Sequence, residues 1–260
     1  MSKTHLVIPD SHAKPGVSNE RYDWLGRFIL DVKPDVVVNL GDMADMYSLN
    51  EYEKGTKGFI TTANYKADVD AVIDAQERLW EPTNKYNKGK SRAKKRGYYP
   101  QTYQLIGNHE NRILRALKYN PHLEGTISME DLRYGEYNGK VVPYLTKVVI
   151  DGIVYCHCIQ SGNSSMMMGG RHQANSMLMQ EHVSVTVGHS HKKDYKENVN
   201  GYGKRIHGLV AGCYFEHNES YASQSNDSWW RGVVLKRGVE DGDYEPQFIK
   251  LDDLKREYSK

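Results

Sequence analysis

The sequence has few cysteines and no long apolar run, and each absence excludes a class of protein. Its 260 residues include only three cysteines, Cys156, Cys158 and Cys213, an odd number that does not suit a disulfide framework. No apolar stretch approaches the roughly 20 residues that cross a bilayer, and residues 1–5 do not resemble a signal peptide. We therefore expect a soluble, cytoplasmic protein that does not contact membranes.

The chain also lacks a strong net charge, since 35 lysine and arginine residues nearly balance 33 aspartate and glutamate residues. The overall charge therefore does not indicate a nucleic-acid partner, and any basic patch must be local. No internal repeat, low-complexity tract or linker divides the sequence, so we interpret residues 1–260 as a single α/β domain. Within it we distinguish a basic insertion at about residues 84–97 and a C-terminal strand-helix extension at about residues 229–260.

Metal-binding residue types follow five apolar segments, each of which predicts a β-strand. Asp10 and His12 follow residues 6–9, Asp42 and Asp45 follow 36–40, Asn108 and His109 follow 103–106, His157 ends the second strand of a hairpin around residues 151–152, and His189 and His191 follow 183–187. Helical spacing of apolar residues predicts helices near residues 22–30, 67–80, 111–119 and 171–181. Polar residues at the carboxyl ends of strands in such an α/β chain indicate a functional site.

The donor types in this set indicate a site for two divalent cations. Two cations about 3.5–4 Å apart need oxygen and nitrogen ligands, one bridging carboxylate and open positions for water and substrate. Asp42 is the candidate bridge, because Gly41 before it lets the backbone approach closely. Asn108 can ligate through its amide oxygen. His189 and His191, separated by one residue just past a strand, can direct two imidazole nitrogens into one pocket.

Five short motifs in this order resemble the calcineurin-like metallophosphoesterase family. They are D-x-H at residues 10–12, G-D-x-x-D at 41–45, G-N-H-E at 107–110, a single histidine after a strand at 157, and G-H-x-H at 188–191. The resemblance covers roughly residues 5–215 and implies a four-layer α/β/β/α sandwich with mixed sheets. The metal site would lie at the carboxyl ends of the strands.

The same resemblance implies a ligand set and a role for each residue. One metal would be held by Asp10, His12, Asp42 and His191, and the other by Asp42, Asn108, His157 and His189. His109 would face the phosphate as a catalytic residue, and Asp45 would orient His109 or ligate a metal. The expected activity is hydrolysis of a phosphate ester by water that two metal ions activate. Manganese is the expected metal, with iron or zinc as alternatives, because these donors suit calcium less well.

The substrate is indicated only by a local run of charge. Residues 85–96 hold seven lysines and arginines and no acid, with Tyr86, Tyr98 and Tyr99 nearby, after a helix that we expect to end near Pro82. Such a run is often a solvated loop, but it also suits contact with DNA or RNA. We therefore favour a phosphodiesterase or nuclease acting on nucleic acid or nucleotides. The alternatives are a phosphomonoesterase acting on phosphoprotein or a small metabolite, and a non-catalytic scaffold braced by metal.

Two further pairs of residues are candidates for contact with substrate. Arg171 and His172 follow Gly169 and Gly170, and a glycine-rich turn into a helix can bind phosphate, so we predict that both residues bind substrate. For Arg112 and Arg115 we favour pairing with the acidic helix around residues 70–74 over contact with substrate. The sequence assigns no oligomeric state.

Overall fold

The computed structural model describes residues 2–259 of the chain. Its strands are β1 (Lys3–Ile8), β2 (Val36–Asn39), β3 (Gln101–Leu105), β4 (Lys140–Val142), β5 (Val148–Ile150), β6 (Ile153–Tyr155), β7 (Ser184–Val187), β8 (Lys193–Val199), β9 (Arg205–Ala211), β10 (Gly232–Glu240) and β11 (Asp243–Lys250). Its helices are α1 (Glu20–Val32), α2 (Lys57–Thr62), α3 (Tyr65–Arg92), α4 (Arg112–Tyr119), α5 (Tyr134–Tyr137), α6 (Gln173–Glu181) and α7 (Leu251–Tyr258). Within the described range, no helix has the length and apolar character needed to cross a membrane.

The first sheet has six strands in the order β11-β10-β1-β2-β3-β4. Strands β1 to β4 are parallel, and their register places Leu6 beside Val37 of β2. Strand β10 lies antiparallel to β1, with Leu235 opposite Leu6, and β11 pairs with β10. The C-terminal segment that we described as an extension therefore supplies two strands of this sheet.

The second sheet has five strands in the order β5-β6-β7-β9-β8. Strands β5 and β6 form the hairpin predicted around Asp151 and Gly152, in which Ile150 lies opposite Ile153. Strands β6, β7 and β9 are parallel, and β8 is antiparallel to β9. The α/β class with mixed sheets is confirmed.

Three buried clusters define the order of the layers. One cluster packs helices α1, α3 and α7 against the first sheet, for example Leu25 and Leu79 against Ile8. The second joins the facing sides of the two sheets. The third packs α6, through Met177 and Leu178, against the outer side of the second sheet. This packing supports the expected order of helix, sheet, sheet and helix.

Helix α3 is longer than predicted, because it continues through Pro82 to Arg92. Proline removes one hydrogen bond from a helix and favours an end or kink, so we expected α3 to stop there. Tertiary contacts outweigh this preference. Thr83 is buried after the proline, and the side chain of Asn87 accepts a hydrogen bond from Tyr98 N at 2.8 Å and donates one to Tyr98 O at 2.8 Å. Most of the basic segment is therefore helix rather than loop.

The two ends of α3 lie at opposite edges of the first sheet. Asp68, in its first turn, accepts a hydrogen bond from Ser48 N on the segment that follows β2. After α3 the chain enters the amino end of β3, where Gln101 N donates to Asp35 O just before β2. Residues 93–100 therefore lie at the edge opposite the carboxyl ends of the parallel strands.

Candidate metal centre

The predicted ligands meet where strands from both sheets end. Asp10 and His12 follow β1, Asp42 follows β2, Asn108 follows β3, His157 follows β6, and His189 and His191 follow β7. Parallel strands deliver their carboxyl ends to one edge of a sheet, and the two packed sheets bring both edges together. Residues separated by up to 181 positions in sequence thus become neighbours.

The first group of donors is Asp10, His12 and His191. His191 Nε2 lies 3.1 Å from Asp10 Oδ2 and 3.3 Å from His12 Nε2. Donor atoms of the three residues all lie within 4.8 Å of one another, and all three residues are buried. These separations are those of ligands that share one ion.

The second group of donors is Asn108, His157 and His189. Asn108 Oδ1 lies 2.9 Å from His157 Nε2 and 2.8 Å from His189 Nδ1. Asp42 connects the two groups, because its Oδ2 lies 3.4 Å from His157 Nε2, and its carboxylate also lies within 4.8 Å of donor atoms on Asp10 and on His12. This is the position of a carboxylate that could bridge two cations.

A neutral His157 ring would not suit the oxygens that surround it. Its Nδ1 lies 3.0 Å from the carbonyl oxygen of Leu40, which can only accept a hydrogen bond. The neutral ring must therefore direct an unprotonated Nε2 at Asn108 and Asp42, which also present oxygen lone pairs. Burial alone would lower the pKa of His157, but the charge and hydrogen bond of Asp42 outweigh burial and raise it to about 10. A positive charge, carried by a proton or a metal ion, is needed at this position.

His12 and His191 give a second test of whether the donors fit a metal. Two nitrogens bound to one tetrahedral zinc at about 2.0–2.1 Å are separated by about 3.3–3.4 Å, and the two Nε2 atoms are 3.3 Å apart. The buried Nδ1 of His12 has no hydrogen-bond partner among the described residues. Burial, followed by the charge of His109, lowers the pKa of His12 to about 3, so that this ring is neutral and able to ligate. The donors fit divalent cations.

Four of the predicted ligands have backbone angles in the left-handed region. The φ values are 41° for His12, 50° for Asp42, 68° for His189 and 58° for His191. Such angles cost a residue with a side chain about 1 kcal/mol or more, and they persist where surrounding structure holds them in place. The turns after three different strands thus accept strain in order to direct side chains inward.

Two glycines let the second and third motifs approach each other. Gly41 has φ of 100°, and a Cβ atom there would lie 2.7 Å from Gly107 N. A Cβ atom at Gly107 would overlap the carboxylate of Asp42. Hydrogen at both positions therefore allows the carboxylate of Asp42 to lie against the backbone of the next motif, where His109 N donates to its Oδ1 at 2.8 Å. This agrees with the close approach expected at Gly41.

Glu110 holds the second and third motifs together, a role that the sequence did not reveal. Its fully buried carboxylate accepts hydrogen bonds from the backbone N–H groups of Asp42, Ala44 and Gly107 at 2.8–2.9 Å. The hydroxyl of Tyr134 donates a fourth bond at 2.9 Å. The only available signal was the acidic fourth residue of the G-N-H-E motif.

His109 and Asp45 form a pair beside the donors. His109 Nδ1 donates to the backbone oxygen of Asp45 at 2.8 Å and lies 3.3 Å from its Oδ1. Burial would lower the pKa of His109, but the charge of Asp42 and the hydrogen bond to Asp45 outweigh burial and raise it. His109 Nε2 is left near Asp42 Oδ2, at 3.9 Å. The arrangement orients the ring toward the donors.

Arg112 lies at the site, so the preference for pairing it with residues 70–74 was wrong. Its Nη1 donates to the backbone oxygen of Asp45 at 2.9 Å, and its Nη2 lies 3.3 Å from His109 Nε2. Arg115 is bound to Glu51 at 2.8 Å, while Asp74 is paired with Arg78 at 2.9 Å. Helix α4 starts immediately after the G-N-H-E motif, which brings Arg112 back over His109.

A cavity of about 650 Å³ opens over the donors. Its lining includes Asp42, Asn50, Tyr52, Glu53, Asn108, His109, Arg112, His189, Ser190, His191, Ala222, Ser225 and Trp229. The Trp229 ring meets His191 edge to face, with 4.6 Å between ring centroids. The cavity therefore joins metal-binding groups, a histidine that can transfer a proton, a cation and aromatic surface.

Arg171 and His172 are not among the residues that line this cavity. Both are exposed on the segment before α6. The next residue, Gln173, does contact the site, because its Oε1 accepts a hydrogen bond from Ser190 Oγ at 2.9 Å. Their predicted contact with substrate stays a prediction.

Similar proteins were found by sequence and by structure. No protein-family model matches the chain. The Gene 54 protein of Mycobacterium phage L5 is 26% identical over 208 residues, which cover 78% of this chain and 74% of that protein.

Three solved structures resemble nearly the whole chain. TT1561 of Thermus thermophilus has a TM-score of 0.42 and 11% identity, covering 96% of this chain and 100% of that one. YfcE, a phosphoesterase from E. coli, has a TM-score of 0.39 and 13% identity, covering 95% of this chain and 100% of that one. Vps29 of Entamoeba histolytica complexed with Zn²⁺ has a TM-score of 0.36 and 14% identity, covering 95% of this chain and 99% of that one.

Proposed function

We propose that this protein is a calcineurin-like metallophosphoesterase that hydrolyses phosphodiester bonds of a nucleic acid or nucleotide with two divalent cations as cofactors. One observation carries the proposal: two groups of donors converge, and the Asp42 carboxylate lies 3.4 Å from His157 in one group and within 4.8 Å of donor atoms on Asp10 and His12 in the other. The motif order D-x-H, G-D-x-x-D, G-N-H-E, H and G-H-x-H supports the same assignment. Manganese is the metal we favour, because aspartate, asparagine and histidine donors suit manganese, iron or zinc.

The proposed division of ligands follows the two groups of donors. Asp10, His12, Asp42 and His191 would hold one cation, and Asp42, Asn108, His157 and His189 the other. When bound, such cations offset charge on the phosphoryl oxygens and lower the pKa of a coordinated water toward neutrality. The carbonyl of Leu40 contributes by fixing the ring of His157, since a hydrogen bond to the other nitrogen of a ligating histidine sets its tautomer and orientation.

His109 is the proposed group that moves a proton. Its Nδ1 is bound to the backbone oxygen of Asp45, so the nitrogen that would exchange a proton with substrate is Nε2, which lies 3.3 Å from Arg112 Nη2. A proton on Nε2 can be given to the oxygen of the leaving group as the bond to phosphorus breaks. Asp45 fixes the ring so that this nitrogen faces the reacting atoms.

A diester is favoured over a monoester by the shape of the site. The cavity of about 650 Å³ extends beyond the donors to Tyr52 and Trp229, which leaves room for groups on two sides of a phosphate. Aromatic rings suit nucleobases, because stacking contributes about 1–3 kcal/mol per base. A role for residues 85–96 in binding a polynucleotide stays a prediction.

A panel of substrates with added manganese tests this function. We expect cleavage of polynucleotides or nucleotide diesters, tested as single-stranded DNA, duplex DNA, RNA, cyclic nucleotides and aryl phosphates. The activity should be lost in Asp42→Asn and His109→Ala. Much faster hydrolysis of p-nitrophenyl phosphate than of its bis ester would indicate a monoesterase instead. A metal-loaded protein that is inert toward every ester would indicate a scaffold.

A further inference from the structure

A second cavity borders the one over the metal-binding residues. It has a volume of about 230 Å³ and is lined by Ser48, Leu49, Asn50, Glu51, Tyr52, Lys54, Phe59, Arg112, Arg115, Ala116, Asn120 and Leu123. Asn50, Tyr52 and Arg112 line both cavities. A molecule bound over the metal-binding residues can therefore extend into the second cavity past Arg112.

The lining of the second cavity has an excess of positive charge. Arg112, Arg115 and Lys54 are its cations, and Glu51 is its only acid among these residues. Tyr52 and Phe59 add aromatic surface to the same cavity. Arginine next to an aromatic face is suited to a ligand that has both a phosphate and a ring.

Arg112 is fixed at the boundary between the two cavities. Its Nη1 donates to the backbone oxygens of Asp45 and Met46 at 2.9 and 3.3 Å. Its side chain is 13% exposed, so the guanidinium is held in place before any ligand arrives. Arg115 follows one turn later on α4, about 5–6 Å away at Cβ, and is the next cation along the path.

Arg115 already holds a carboxylate in the position that an anionic ligand would take. Glu51 accepts a hydrogen bond from Arg115 Nη2 at 2.8 Å, and the side chains of Arg115 and Glu51 are 46% and 49% exposed. An exposed pair of this kind is worth no more than about 1 kcal/mol. A phosphate can therefore displace Glu51 from Arg115.

We propose that the second cavity is a subsite for a leaving group that carries its own phosphate, as a phosphorylated nucleoside does. The scissile phosphate lies over the metal-binding residues, Arg112 lies between the two phosphates, and Arg115 binds the second one. Tyr52 offers its ring to the base. This inference rests on the proposed function and names the class of substrate that it acts on.

The first test compares esters that differ only in the second phosphate. Wild type with manganese is given thymidine dinucleotides with no terminal phosphate, with a 5′ phosphate and with a 3′ phosphate. We expect one phosphorylated form to have a kcat/KM at least about tenfold higher than the plain dinucleotide, as expected for one charge-assisted contact. Arg115→Ala should bring this ratio close to one, and Glu51→Gln should raise it.

Opposite effects of the two variants exclude simple misfolding as the cause. Lys118→Ala is the matched control, since it removes a cation from the same helix that is not among the residues lining either cavity. It should leave the ratio unchanged. Equal kcat/KM for all three dinucleotides in wild type would overturn the subsite.

A binding measurement separates failure of the subsite from failure of the proposed function. Calorimetry with thymidine 3′,5′-bisphosphate requires no turnover, and we expect weaker binding by Arg115→Ala and tighter binding by Glu51→Gln. If neither dinucleotides nor bis(p-nitrophenyl) phosphate are hydrolysed but these binding shifts occur, the proposed function fails and the subsite stands. The same affinity in all three proteins would contradict the subsite, whatever the hydrolysis results.

Discussion

Two polar clusters of this protein both contain histidine and aspartate but differ in how their atoms face each other. In the metal centre, His12 Nε2 faces His191 Nε2 at 3.3 Å. Between the sheets, a second cluster joins Lys236, Tyr155, His5 and Asp151, and each donor in it meets an acceptor. Lys236 Nζ donates to the Tyr155 hydroxyl at 3.2 Å, this hydroxyl lies 2.8 Å from His5 Nδ1, and His5 Nε2 lies 3.0 Å from Asp151 Oδ2.

Burial and shifted pKa values do not distinguish the two clusters. Burial lowers the pKa of His5 to about 4, with a further contribution from the charge of Lys236, and burial lowers the pKa of His12 to about 3. The arrangement of hydrogen-bonding atoms does distinguish them, since the nitrogens of His5 meet a hydroxyl and a carboxylate while His12 Nε2 faces another imidazole nitrogen. Converging lone pairs indicate chemistry, and complete donor-acceptor pairs indicate structure.

The largest expected difference between the clusters is in the effect of replacing one aspartate of each cluster, Asp42 or Asp151, with asparagine. Asp42→Asn should lower kcat/KM by at least about a thousandfold, because it removes the carboxylate that would join two cations, each worth several kcal/mol in the transition state. Bound metal, measured by mass spectrometry of metals, should also fall. Asp151→Asn is the matched control, with activity and metal content close to wild type and a loss of about 1 kcal/mol in the free energy of unfolding.

The opposite pattern would break the comparison. If Asp151→Asn abolished turnover while the protein stayed folded, the cluster between the sheets would be functional. If Asp42→Asn retained full metal content and activity, the proposed bridge would be wrong.

His109 should separate catalysis from metal binding within the metal centre. His109→Ala removes the proposed proton donor but none of the proposed ligands, so kcat should fall by about a hundredfold to ten-thousandfold while the metal content stays at the wild-type level. Steady-state kinetics and metal analysis on the same preparation provide the measurement. Loss of metal in this variant would mean that His109 is itself a ligand.

His5 should control how stability changes in acid, without affecting activity at neutral pH. Its pKa is 6.5 in the unfolded chain and about 4 in the folded protein, so between these values the unfolded chain holds more protons. The contribution of His5 to stability is therefore complete above pH 6.5 and is lost as pH falls toward 4. The loss amounts to about 3 kcal/mol.

The variant His5→Gln carries no ionisable group at this position, so it should lose less stability than wild type on acidification. Urea unfolding between about pH 7 and pH 4 would show the two stability curves converging by about 3 kcal/mol at the acidic end. Parallel curves would show that His5 is not the group whose protonation opposes folding. Activity of the variant at pH 7 should match wild type.

The convergence of the proposed ligands was predictable because their signal is local. Each follows a short apolar run, and the end of a strand can be located from sequence alone, as with Val36–Asn39 before Asp42. The sequence also indicated the parallel arrangement that brings strand ends together.

Residues whose roles depend on packing between distant segments were not predictable. Glu110 receives N–H groups from two motifs, and Arg112 reaches His109 only because α4 turns back over the site. Strand β8 was missed because it is an exposed edge strand with few apolar residues. Helix α3 continued past Pro82 because contacts with residue 98 outweigh the local preference for a break.

The smallest expected effect concerns the basic segment at the opposite edge of the sheet. Helix α3 has 28 residues, and at about 1.5 Å per residue its ends are about 42 Å apart. Charges at residues 94–96 are therefore several Debye lengths from the metal centre at physiological salt. Replacing Lys94, Lys95 and Arg96 together with alanine should change the turnover of bis(p-nitrophenyl) phosphate by less than about twofold.

A long polynucleotide offers the only route by which this segment could matter. If the same nucleic-acid strand contacts both edges, the triple variant should bind polynucleotide more weakly than wild type at low salt. The difference should shrink as salt rises, because the variant neutralises fewer phosphates, releases fewer counterions and so has a shallower dependence on salt. Filter binding at several salt concentrations gives this slope. An equal slope for both proteins would remove residues 94–96 from any nucleic-acid contact, whereas slower hydrolysis of the small ester would mean that the two edges of the sheet are coupled.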